Sequence, residues 1–116
     1  MSEIIININK AIHKKEYALL GWDNGEEMMK RLKKNKVRFQ KIESKFDHII
    51  IKIPKRIFTI NKSYFLGAFG EILERVGQDN FLDKYYFDTN KYNLEKIKEY
   101  VESSKLKASQ EEILFS

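Results

Sequence analysis

His48-Ile49-Ile50-Ile51-Lys52-Ile53, closed by Pro54 and followed by Phe58-Thr59-Ile60-Asn61-Lys62-Ser63-Tyr64-Phe65, is the stretch that decides the fold. Six residues with four isoleucines in near-continuous order predict a deeply buried strand, the middle of a sheet. Pro54 lacks an amide proton and predicts a bend there, with Ile57–Ile60 resuming as strand. From Lys62 the period changes. Phe65, Phe69, Ile72, Leu73 and Val76 fall at i, i+4, i+7, i+8 and i+11, while Tyr64, Leu66 and Ala68 widen the stripe. That pattern predicts a largely covered helix from Lys62 to Val76, stopped by Gly77.

Outward from this centre, Ile4-Ile5-Ile6-Asn7-Ile8-Asn9 suits a strand, and residues 10–20 suit a short strand or loop. Asp23 or Asn24 can cap a helix from about Gly25 to Lys34, with Glu26 and Glu27 near its positive end and Lys30, Lys33, Lys34 and Lys36 toward the other. Val37 to Ile42 alternates apolar with polar and predicts a strand, joined to the isoleucine run by a turn at Glu43–Asp47 as a hairpin. Lys84-Tyr85-Tyr86-Phe87-Asp88 predicts another strand. Asn93 can cap a last helix, whose inner face is Leu94, Ile97, Tyr100 and Val101. Ser103 onward reads as a loose polar tail, with Ile113-Leu114-Phe115 able to dock on a partner or on the domain. Strands alternating with helices predict an α/β fold: a mixed sheet of about four to six strands, with about three helices packed on it.

The chain is 116 residues long, which fits one domain, taken as residues 1–104 with a tail at 105–116. Cysteine is absent, excluding disulfides, thiolate metal sites and cysteine nucleophiles. There is no secretory leader pattern and no apolar run of bilayer length, so a cytoplasmic location is expected. The formal charge of +5 admits an anionic partner, yet only four of the 22 basic residues are arginine, the residue that bidentate phosphate and base contacts favour.

At Phe58–Leu73 the chain resembles the STAS-like domains of bacteria. The strand leading into Asn61-Lys62-Ser63-Tyr64-Phe65-Leu66-Gly67-Ala68-Phe69-Gly70 is similar to that family's strand, Ser-aromatic and Phe-Gly pattern. Leu20-Gly21-Trp22-Asp23-Asn24-Gly25 is similar to the start of its first helix, so the likeness covers about Leu20 to Gly77. The resemblance implies a relative of the anti-sigma factor antagonists, in which a serine at a helix start is phosphorylated by a kinase-like ATPase to switch a protein contact off. It places Ser63 in that role, with Trp22, Asn61, Lys62, Tyr64 and Gly67 around the contact. The plainer role for Ser63 is to help cap its helix.

A second surface is the run Lys30, Arg31, Lys33, Lys34, Lys36 and Arg38, the densest charge in the chain and able to follow a phosphate backbone. Its plainer reading is a solvated helix face. His13 and His48 stand apart, and Asp79, Asp83 and Asp88 are explained by turns and strand edges. No phosphate loop, nucleotide-binding glycine motif, nucleophile elbow or zinc ligand set occurs, so neither cofactor nor metal is expected. The expectation is a non-enzymatic regulatory module that binds a protein. The alternatives are a basic nucleic-acid-associated protein and a small phage- or defence-related effector that blocks a protein complex.

Overall fold

The structure, a computed structural model, describes residues 2–115, with their side chains through 104. The isoleucine run forms β3, His48–Lys52, and lies between β1, Glu3–Asn7, and β5, Tyr85–Asp88. Both pairings are parallel, with Ile5 opposite Ile50 and Ile50 opposite Tyr86. A second, two-stranded parallel sheet joins β2, Ala18–Leu19, to β4, Thr59–Ile60. The α/β class is as expected from the sequence, but the sheets are parallel rather than mixed. Among the described residues five α-helices accompany the five strands, where about three helices were expected.

The expected hairpin is the main correction. Residues 39–45 form α2, Phe39–Lys45, and no strand precedes β3 there. Val37 and Phe39 alternate, but Phe39, Ile42 and Phe46 also sit at i, i+3 and i+7, and that helical period governs. Phe39 is buried and Ile42 packs on the core. A near-continuous apolar strand is itself the mark of parallel pairing, which needs a crossover rather than a tight turn.

Only one face of the three-stranded sheet is sealed. Ile49 and Ile51 are fully buried and Phe87 and Tyr85 nearly so, whereas Ile5 and Tyr86 are more than half exposed and Ile50 is half-buried. β3 is thus central, as expected, but not covered on both sides. Over the sealed face Phe65, Phe69, Phe81 and Phe87 pack ring against ring at centroid separations of 5.2–6.1 Å.

The helix at Lys62–Val76, α3, has its expected bounds, and Gly77 ends it at φ 92, a conformation that favours glycine. Residues 78–84 continue as a short helix, α4, Gln78–Lys84, which sequence reading missed. The last helix, α5, spans Lys91–Phe115 and is capped by Asn90, whose Oδ1 accepts from the Asn93 amide at 2.7 Å. Asn93, the expected cap, is instead fully buried one turn in, donating to the Ile57 carbonyl at 3.2 Å and Thr89 Oγ1 at 3.1 Å. It ties the start of α5 to the chain before β4. The backbone from Ser103 to Phe115 is thus helix rather than the expected loose tail, while the docking expected of Ile113, Leu114 and Phe115 rests on side chains beyond those described.

Candidate interaction surface

Two strand-to-helix turns lie side by side and build one end of the molecule. β2 passes through Gly21 into α1, Trp22–Lys34, and β4 passes through Asn61 into α3. Gly21 makes its turn at φ 91, ψ 143, so one residue suffices and the helix starts at Trp22 instead of near Gly25. Neither Asp23 nor Asn24 is the cap: Asp23 sits in the first turn, and Asn24 donates back to the Leu20 carbonyl at 2.8 Å.

Asn61 is the clamp between the two turns. Its Oδ1 accepts from the Tyr64 amide at 2.9 Å, capping α3, and from the Gly21 amide at 3.2 Å, holding the start of α1 beside it. The helices then come into direct backbone contact at two glycines. A Cβ on Gly25 would lie closer than 3.0 Å to the Tyr64 carbonyl and the Ala68 amide, and one on Gly67 closer than 3.0 Å to the Trp22 carbonyl. Gly70, three residues on in α3, has nothing nearer than 4.0 Å.

This frame sorts the residues expected at the contact. Tyr64 is 2% exposed, and its phenol is held well above its usual range by burial and then by nearby Glu16, so it supports the surface from below. Gly67 and Asn61 are consumed by packing and capping. Lys62 is half-buried, while Ser63 is exposed and its hydroxyl makes no hydrogen bond among the described residues. Ser63 does not cap the helix, because Asn61 does.

Trp22 is 50% exposed, and three more large apolar side chains share its exposure nearby: Tyr17, Leu20 and Phe58. The Phe58 amide donates to the Tyr17 carbonyl at 2.9 Å, setting the two aromatics on adjacent strands, and the Asn61 amide donates to the Leu19 carbonyl at 3.0 Å. Half of the eight exposed large hydrophobic side chains among the described residues therefore flank one strand pair or lie in the turn that follows it. Single exposed apolar residues are ordinary, whereas several set close together on paired backbone form a candidate contact surface. Phe58 was hidden, because in Ile57–Ile60 nothing but the structure shows that Ile57 and Ile60 point inward and Phe58 outward.

The basic run does not stay together. Arg31 donates to the Ala11 carbonyl at 3.2 Å and faces Glu27 at 3.6 Å, on a different side of α1 from its neighbours. Lys36 occupies a left-handed position at φ 67 in the turn after α1. Lys30, Lys33, Lys34 and Arg38 line a common groove and are joined there by Lys41 and Arg75.

His13 is exposed and His48 half-buried, and no group of three His, Asp or Glu side chains able to hold a metal ion occurs among the described residues. No described helix is long and apolar enough to cross a membrane. No family model, curated protein or solved structure matches the chain.

Proposed function

We propose that the chain is a STAS-like regulatory module that works by binding a partner protein rather than by catalysis, through the end where α1 and α3 begin. The observation that carries this reading is the exposed group Tyr17, Leu20, Trp22 and Phe58 beside an unengaged Ser63. Burying a tryptophan and neighbouring aromatics supplies much of the energy of protein contacts, and a frame pinned by Asn61 and the Gly25–Gly67 crossing keeps the ordering cost low.

Ser63 is the switch in this reading. It occupies the second position of α3, where a phosphate brings about two negative charges to the positive end of the helix, next to Lys62. Because Asn61 already takes the Tyr64 amide, the phosphate leaves the cap in place. It acts on the partner, adding charge and hydration to a surface that binds by apolar contact. A kinase-like ATPase of the kind the resemblance implies is the reader and modifier.

The test is affinity capture from the source cell with the wild-type chain and with Trp22→Ala, Ser63→Ala and Ser63→Glu. The reading expects one protein retained by wild type and Ser63→Ala and lost by Trp22→Ala and Ser63→Glu. Identical captured sets for all four would refute it.

A further inference from the structure

The second half of α1, the turn after it, the start of α2 and the middle of α3 enclose a groove of about 800 Å³. That is within the size range of sites that take small ligands and short peptide segments. Its floor is apolar, made by Met29, Val37, Phe39, Ala68 and Ile72. Its rim is cationic, with Lys30, Lys33 and Lys34 from α1, Lys41 and Arg38 from the α2 side, and Arg75 from α3.

The two arginines are already committed inside the protein. Arg38 donates to the Lys33 carbonyl at 2.8 Å, closing the end of α1, and Arg75 pairs with Glu43. The ammonium groups of Lys30, Lys33, Lys34 and Lys41 have no hydrogen bond or ion pair among the described residues. Lys30, Lys33 and Lys34 are spaced i, i+3 and i+4, so Lys30 faces two like charges along one helix side. Glu26, one turn before Lys30, offsets part of that repulsion, and an anionic ligand would offset the rest.

We propose that this groove binds an acidic peptide segment of a partner protein, its carboxylates on the four lysines and an apolar side chain on the floor. Charge complementarity fixes the sign of the ligand, and the apolar floor fixes its kind. A nucleic acid fits less well on three counts. The only aromatic in the lining is Phe39, 6% exposed, so there is no stacking surface. The arginines that would grip phosphate bidentately are engaged elsewhere. Glu26 and Glu71 also line the groove and repel a phosphodiester, whereas a peptide with few, spaced acids can avoid them. This inference is independent of the reading of Trp22 and Ser63.

Fluorescence anisotropy with the full chain tests it, using a labelled peptide of glutamate and leucine in helical repeat. The comparison probes are a glutamate-serine peptide of equal charge and a thymidine oligonucleotide. The glutamate-leucine peptide is expected to bind tightest, weaken on the order of tenfold in Lys33→Glu/Lys34→Glu and again in Lys41→Glu on the other wall, and weaken as salt rises. Ser63→Glu should leave it unchanged, which separates this site from the other surface. All three lysines are exposed, so the variants fold, and coincident thermal melts verify it. Tighter binding of the oligonucleotide, equal binding of the two peptides, no saturable binding, or no effect of the lysine reversals would each overturn the proposal.

Discussion

At the scale of single residues, two glycines and one asparagine decide how the two helix starts meet. Alanine at Gly25 or Gly67 would push a methyl group into opposing backbone, which cannot rotate aside. Each substitution should cost about 2–3 kcal/mol in urea unfolding, at the upper end of overpacking effects. Gly70→Ala, three residues away in the same helix, meets only ordinary contact with the Leu66 Cβ at 4.0 Å and should be neutral or stabilising by up to about 1 kcal/mol. Equal costs at positions 67 and 70 would mean that the close crossing is not there. Asn61→Ala strips one oxygen from two amides and should lose about 1–2 kcal/mol, with Asn61→Asp recovering most of it because a carboxylate accepts at a helix start equally well.

Among the elements, what could be read from the sequence was whatever had one dominant period. β3 and α3 carry long unambiguous patterns, and α3 runs from Lys62 to Val76 as read. Where two periods coexist, local reading chose wrongly: Val37–Phe39 alternates for three residues, but Ile42 and Phe46 extend a helical spacing that only the core could select. Asn90 and Asn93 are equally good caps on paper, and burial of Asn93 against Ile57 and Thr89 decided between them. Ser63 and Trp22 were legible as candidates because polar and aromatic side chains at helix starts stand out. Glu43 was not, having been assigned to a turn, yet it anchors α2 by accepting from both Arg75 and the Tyr85 hydroxyl. Lys84 reinforces that anchor by donating to the Glu43 carbonyl at 2.8 Å. Glu43→Ala should therefore destabilise by about 1–3 kcal/mol in the same unfolding assay, whereas Glu43→Gln keeps an acceptor and should lose less.

For the molecule as a whole, buried phenols set an alkaline limit. Tyr85 is pushed above its usual range by burial and then by its hydrogen bond to Glu43, and Tyr64 by burial. A phenol whose pKa is raised on folding stabilises fully below the unfolded value of about 10 and loses that contribution as pH climbs from there toward the folded value. Melting temperature should thus be indifferent to these two groups at neutral pH and fall from about pH 10 upward, and Tyr64→Phe with Tyr85→Phe should flatten that fall. An identical alkaline descent in the double variant would place its cause elsewhere. The same global view explains why the proposed binding surface was only half visible. Tyr17, Leu20, Trp22 and Phe58 are brought near one another through pairing of β2 with β4, 41 residues apart by register, and no local pattern encodes that meeting.

The most direct test of that surface is photocrosslinking in the source cell, with a benzophenone amino acid at position 58, or at position 74 on the exposed side of α3 as a control. The account predicts a discrete protein adduct from position 58, absent from position 74 and abolished when Ser63→Glu is added. Adducts of the same identity and yield from both positions, or an adduct from position 58 untouched by Ser63→Glu, would contradict it.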